Sequence, residues 1–367
     1  MHYSALPHIR KVPNMAKHQA RDRHPVRDRA AIRTTALAMI GLTLFVIAMI
    51  ASYSGAFAKP TLHHMSVAVA GPQQLVDGIR GQDTLAVTEV GDAAAAREQV
   101  YERKTDAAFV VAPTGEMTIY VAGGGGHSVA TAAETVGRTI AAKAGLNATV
   151  EDVAPASAGD PSGTVEFYAI IFISIGASVG ATVLGRVMGT VRRPLTLALR
   201  TATLVGYSAL LAAGVTLYVD VILGALTGHT WQLFGALWLY AMAVGGAVTG
   251  VAAAFGSVAS MALTAFLVVI GNAAAAGPVG RPLLSGFYST FTAIVPQGSG
   301  VSLLRSVSYF GGNGAQTPLV TLAIWGAAGC LLAIAATASR VNYRALYERF
   351  AGRDRALLRP RVLSPAD

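Results

Sequence analysis

The sequence predicts a polytopic α-helical membrane protein. It has six transmembrane helices, a small extracytoplasmic α/β domain between helices 1 and 2, and a re-entrant helical pair before helix 6. Three observations carry that expectation. Apolar residues make up 53% of the chain and charged residues only 13%, about half the share usual in a soluble domain. Six separate runs come close to the ~20 apolar residues needed to cross a bilayer. Residues 58–165 break this pattern and alternate between strand and helix periodicity.

The elements follow in order. Residues 1–33 form a basic tail with eight Lys or Arg between Arg10 and Arg33 against Asp22 and Asp28. Its stretch HPVRDRAAIRTT suits a short basic helix lying along a membrane surface. Residues 34–57 are the first span. Ala56–Ala58 reads "AFA", like a cleavage site, but the apolar run before it is about twice a signal-peptide core of 7–15 residues. The expectation is an uncleaved anchor.

Residues 58–165 read as β-α-β-α-β-β-α-β. MSVAVA, DTLAVTEV, DAAFVVA, EMTIYVA and ATVEDVA are the strands, with PTG as the turn between the third and fourth. PQQLVDGIRGQ starts a helix on proline, Asp92 is placed to cap the Ala-rich second helix, and Gly145 to end the third. PASAGDPSG reads as a linker. The run Gly123–Gly126 before the third helix invites a phosphate-loop reading. A Walker loop, however, needs Gly-Lys followed by Ser or Thr, and none of the five lysines follows a glycine. The run reads as a flexible strand-to-helix turn.

Residues 166–338 hold the further spans, Phe167–Leu184, Thr201–Leu223, Trp231–Phe255, Val258–Ala276 and Leu319–Ala338, and residues 339–367 a second basic tail with seven arginines from Arg340 to Arg361. Arg186, Arg192, Arg193 and Arg200 mark the loop between the second and third spans. Six spans put both tails and this loop on one face, and basic residues near span ends mark the cytoplasmic side. Both termini are therefore expected in the cytoplasm, residues 58–165 outside, and the chain in the cell (inner) membrane. The net charge of +9 then reflects topology and attraction to membrane lipids, not nucleic acid.

Candidate chemistry is sparse. Gly176–Gly180, "GASVG", matches a hydrolase nucleophile elbow around Ser178, but that motif works on a strand-to-helix turn. Inside a span, Gly176 with Gly180 reads as a small-xxx-small packing face, repeated at Gly185/Gly189 and Gly246/Gly250. His63, His64, His127 and His229 lack metal-ligand spacing, so no metal is expected. Cys330 excludes an intramolecular disulfide and reads as a small core hydrophobe. Glu166 and Asp220 are the only acids between the external domain and the basic tail. Acids at membrane depth mark pathways or pairs. Glu166 is expected at the water-reachable interface, and Asp220 near Arg281 or Arg305, or on a substrate path.

The stretch 278–316 is the most informative. RPLLSGFYSTFTAIVP and GSGVSLLRSVSYF are apolar segments of re-entrant length, punctuated at Pro282, Pro296, Gly298 and Gly300. Ser302, Arg305 and Ser306 add polar positions, and such segments satisfy their backbone only against protein or a cavity. Pro296 and Arg305, with Glu166 and Asp220, are the candidate exit-gate residues.

One anchor, an external α/β domain, five further spans and an outer re-entrant pair resemble the ABC type-2 transporter permease family. The nearest branch is the phage-infection-protein group (YhgE/Pip-like). Gly277-Pro278, Pro282-Leu283, Phe287, Pro296, Arg305 and Tyr309-Phe310 are similar to that group's signature before its last span. ERKTDAAFVVAPTG, with Ala107–Val111 as strand and Pro113 as turn, is similar to a strand and turn of its external domain.

The resemblance implies a non-enzymatic transport subunit that pairs as a homodimer or with a second permease. A separate cytoplasmic ABC ATPase would dock on the loop carrying Arg186, Arg192, Arg193 and Pro194, and ATP would be bound on that partner and no cofactor on this chain. The implied cargo is an exported lipid, peptide or other amphiphile. The alternative is an ATPase-independent scaffold or receptor whose external domain binds an envelope or secretion partner.

Overall fold

The structure is a computed structural model that describes residues 25–189 and 194–340. It divides into two compact units, residues 1–50 and 51–367. In the first, the described residues form most of helix α1 (Pro25–Phe57), whose 33 residues extend about 50 Å. Leu37, Ile40, Leu44 and Ile47 are all exposed. A helix apolar on every side, with none of its apolar window buried, suits lipid better than water.

The second unit contains an α/β domain of β1 (Met65–Ala70), α2 (Gln73–Arg80), β2 (Leu85–Glu89), α3 (Ala93–Tyr101), β3 (Ala107–Val111), β4 (Glu116–Val121), α4 (His127–Lys143) and β5 (Asn147–Asp152). The sheet order is β2-β1-β3-β4-β5. All neighbours are parallel except β3 and β4. Their short turn, with Gly115 at φ +82°, is too brief for the crossover a parallel pair needs.

Local signals act where the sequence places them. The Asp92 carboxylate accepts from the Ala95 amide at 2.8 Å and satisfies one of the free donors at the start of α3. At the end of α4, Gly145 takes φ +68° and the Leu146 amide donates back to the Ala141 carbonyl at 2.9 Å, a Schellman closure.

One sheet face buries Val67, Val69, Phe109, Met117 and Ile119 with residues of α2 and α4. Gly137 lets α4 approach closely, since a β-carbon there would stand 2.7 Å from Ile119. The other face packs Ala68, Ala108 and Tyr120 against Ala96 and Val100 of α3, together with Phe310 from nearly two hundred residues away.

The helical region comprises α5 (Val165–Met188), α6 (Pro194–Thr216), α7 (Thr230–Phe255), α8 (Ser257–Phe266), α9 (Gly286–Ile294), α10 (Pro296–Tyr309) and α11 (Gln316–Ala338). With α1, five helices among the described residues are long and apolar enough to cross a membrane, as in a polytopic helical membrane protein. The segment expected as the fifth span, Val258–Ala276, forms a shorter apolar helix, Ser257–Gly271. It widens into a π-turn over Leu267–Gly271. At 15 residues it extends about 22 Å, short of a ~30 Å hydrocarbon core.

Helix α7 is the hub, packed on α5, α6, α8, α10 and α11. Gly246 and Gly250 face Gly326 and Gly329 of α11 backbone to backbone, with no space for a β-carbon at Gly250 or Gly329. Gly180 of α5 instead receives the Tyr207 ring of α6 and Gly176 the Leu211 side chain, and the Tyr207 hydroxyl donates to the Gly176 carbonyl at 2.9 Å. Ser178 is buried mid-helix, so the elbow-like motif is a packing surface.

One expectation is corrected: Cys330 lies exposed on α11, because that position points outward from the helix bundle. The stretch 155–163 links β5 to α5 and is packed along its length: the Ser157 hydroxyl donates to the Ala225 carbonyl at 2.5 Å and Gly159 presses against Gly224.

Because α7 and α11 meet through glycines, Gly250→Val is expected to lower stability by about 1–3 kcal/mol through overpacking. Thermal unfolding of the full chain in maltoside micelles measures this. Gly206→Ala, where nothing lies within 4 Å, should be neutral or slightly stabilising.

Candidate functional site

Among the described residues, one cluster of buried polar groups lies where α10 meets the α/β domain. Pro296 opens α10 at its first turn, where a missing N–H costs nothing. Residues Pro296 to Ser306 are mostly buried. The Gln297 amide donates to the Ser174 hydroxyl at 3.1 Å and to the Leu267 carbonyl at 3.0 Å, which ties α10 to α5 and α8. Gly298 and Gly300 sit against Thr292 and Ile170 with no space for side chains.

One turn further along, Ser302, Arg305, Ser306 and Tyr309 recur at the i, i+3, i+4, i+7 spacing of a single helix face. Arg305 is 4% exposed. Its guanidinium donates to the carbonyls of Ala276 (3.1 Å), Gly277 (3.0 Å) and Gly163 (3.4 Å), joining three chain segments. The Glu166 carboxylate, fully buried, faces the same guanidinium and the Tyr309 hydroxyl electrostatically without a hydrogen-bond partner among the described residues. Glu166 is thus inside the protein and not at the expected water-reachable interface. The start of α5 is instead capped by Asp160, whose carboxylate accepts from the Val165 amide at 2.7 Å.

The α/β domain contributes Arg103. It follows α3 in a left-handed conformation, φ +60°, which costs a residue with a β-carbon about 1 kcal/mol. The turn aims its guanidinium at α10. It donates to the Ser302 carbonyl (2.7 Å), the Ser306 hydroxyl (2.5 Å) and the Ser302 hydroxyl (3.2 Å), and lies 5.1 Å from the centre of the Phe310 ring. Burial, then the neighbouring Arg305, pushes its pKa down to about 10, partly opposed by Asp106. It therefore keeps its charge at neutral pH.

The four-glycine run is the opposing surface. A β-carbon at Gly124 would collide with the Tyr309 ring, one at Gly125 would stand 3.2 Å from the Phe310 ring, and one at Gly126, which is at φ +142°, would stand 3.3 Å from the Arg305 guanidinium. Gly123 N–H donates to Asp152 at 3.0 Å. The run is neither a phosphate loop nor a free turn; it is a surface stripped of side chains so that α10 can dock.

Beside this joint is a cleft of about 390 Å³. It is walled by Arg103, Asp106 and Gly125 from the α/β domain, by Arg281 and Arg305, and by α10 and the start of α11.

The remaining expected site residues lie apart. Asp220, in a π-turn over Leu217–Ile222, accepts a hydrogen bond from the Thr230 hydroxyl. That contact pins the end of α6 to the start of α7, and Asp220 forms no ion pair with Arg281 or Arg305. Arg186 is exposed in the last turn of α5, and Pro194 begins α6. Arg192 and Arg193 lie outside the described residues. Among the described residues no group of three or more His, Cys, Asp or Glu could hold a metal ion. Arg103 was missed in the sequence because nothing local distinguishes it from its neighbours Glu102 and Lys104.

Comparisons with models of known protein families, with curated proteins and with solved structures return no match.

Removing one member of a buried charge set leaves the other uncompensated, at about 3–5 kcal/mol. Arg305→Met is expected to destabilise the full chain by that order in micelle thermal unfolding. Adding Glu166→Gln to it should recover part of the loss. A double variant no more stable than Arg305→Met alone would remove the electrostatic coupling.

Proposed function

We propose that this chain is a permease subunit of the ABC type-2 kind, exporting an amphiphilic small molecule, lipid or peptide with energy from a separate ATPase. One observation carries the reading. A folded α/β domain is bonded through Arg103 to a short helix packed among candidate spanning helices, and Arg305 of that helix holds the segments at 163 and 276–277, beside a cleft. In that arrangement a rearrangement of the helices is transmitted to the domain and changes the cleft, which is what a gated path requires. The extracytoplasmic placement of the domain and the cytoplasmic placement of both termini, in the inner membrane, belong to this proposal. So do the pairing of two permeases and the docking of the ATPase around Arg186, Arg192, Arg193 and Pro194. ATP hydrolysis would reside in the partner, and this chain would bind no cofactor.

The test is affinity purification of the tagged chain from mild detergent, with bound proteins identified by mass spectrometry. A P-loop ATPase is expected with the parent. Its recovery should fall about tenfold in Arg192→Glu/Arg193→Glu, the effect of ~1.4 kcal/mol of lost binding. Recovery of envelope proteins alone, unchanged by the charge reversal, would favour the scaffold or receptor reading.

A further inference from the structure

We propose that the cleft between the α/β domain, α10 and α11 binds the phosphate or carboxylate headgroup of an anionic amphiphile. This inference concerns binding and does not rest on ATP-driven transport.

Three guanidiniums, Arg103, Arg281 and Arg305, line the cleft. Among the described residues none of them has a carboxylate within ion-pair distance. The one acid on the wall, Asp106, is already engaged, accepting from the Ser66 amide at 2.9 Å and the Ser66 hydroxyl at 2.6 Å. Glu166 balances Arg305 from behind and is not on the cleft wall. The wall therefore carries three guanidiniums against the single Asp106 carboxylate, and an anion entering it meets a net positive surface.

Unused hydrogen-bonding capacity points the same way. The Thr105 hydroxyl lines the cleft, is 6% exposed as a residue and has no partner. Arg281 is exposed and makes no side-chain hydrogen bond among the described residues. Arg103 and Arg305 are fixed by their bonds to α10 and to backbone carbonyls, so their charge is oriented before any ligand arrives.

The opposite wall selects an amphiphile over a free anion. Thr292 and Ala293 from the end of α9, and Thr317, Pro318 and Thr321 from the start of α11, complete the cleft. Next to them Ile294, Leu319, Val320 and Ile324 are exposed on helices that include a candidate span. A headgroup among the arginines thus leaves its hydrocarbon chain beside a ready apolar surface.

The experiment titrates the full chain, in neutral maltoside micelles, with dodecyl phosphate, inorganic phosphate and the uncharged-overall dodecyl dimethylamine oxide. Native mass spectrometry counts the bound species. Saturable binding of dodecyl phosphate is expected, weakened about tenfold by Arg281→Gln and unchanged by Arg138→Gln, a charge-matched change on the distant α4 surface. The Arg281 side chain makes no hydrogen bond among the described residues, so this variant should unfold at the parental temperature, which separates lost binding from lost fold. Equal binding of the amine oxide, or no effect of Arg281→Gln, would overturn the headgroup site. Inorganic phosphate binding as tightly as dodecyl phosphate would overturn the amphiphile.

Discussion

The buried guanidinium of Arg305 is the constraint on which the rest of the arrangement depends. Moving an unpaired cation out of water costs several kcal/mol even after relaxation, and Arg305 is 4% exposed. The cost is offset by three carbonyls from two separated segments, 163 and 276–277, and by the Glu166 carboxylate at longer range. Each of these must be held in place by something else. Asp160 caps the helix that carries Glu166. Ser128 accepts from the Gly280 amide at 3.0 Å and anchors the loop that supplies Ala276 and Gly277. The four-glycine run leaves the space that the guanidinium and the neighbouring rings occupy.

Close backbone approach is the second recurring device. In lipid, apolar side chains gain little by leaving their surroundings, so helix association depends on packing and on internal hydrogen bonds. The α7–α11 contact uses glycines for the first, and the Gln297 amide provides the second for α10. The α/β domain meets α10 by both means: glycines clear the surface, and Arg103 supplies three hydrogen bonds across it.

Local signals in the sequence correspond to local features of the structure. Asp92 caps α3, Gly145 closes α4, Pro296 starts α10, and the Gly246/Gly250 pair marks a helix contact, because each works within a few residues or a single turn. What could not be read depends on partners distant in the chain. The glycine run has the composition of a mobile turn, and only the positions of Tyr309 and Phe310, some 185 residues later, make it a docking surface. Glu166 lies one residue into a span, where hydropathy alone suggests water. Arg305 and Tyr309 of α10 and the turn carrying Asp160 surround it instead. Val258–Ala276 has the apolar content of a span, but the π-turn at Leu267–Gly271 and the buried Asn272 end its straight run early.

Helix α10 unites these points through an inverted form of amphipathicity. An ordinary surface helix turns its polar stripe to water. Here the stripe of Ser302, Arg305, Ser306 and Tyr309 turns toward a folded domain, while Val301, Leu303 and Leu304 pack into the helical core. Both faces are occupied by protein, so α10 cannot rotate or slide without breaking either the Arg103 bonds on one side or the Gln297 bonds on the other. A helix fixed on both faces passes displacement between them, since well-packed surfaces switch between discrete arrangements more readily than they deform. Arg103 and Arg305 line the adjoining cleft as well as making the joint. The side chains that line the cleft are therefore among those that set the position of α10.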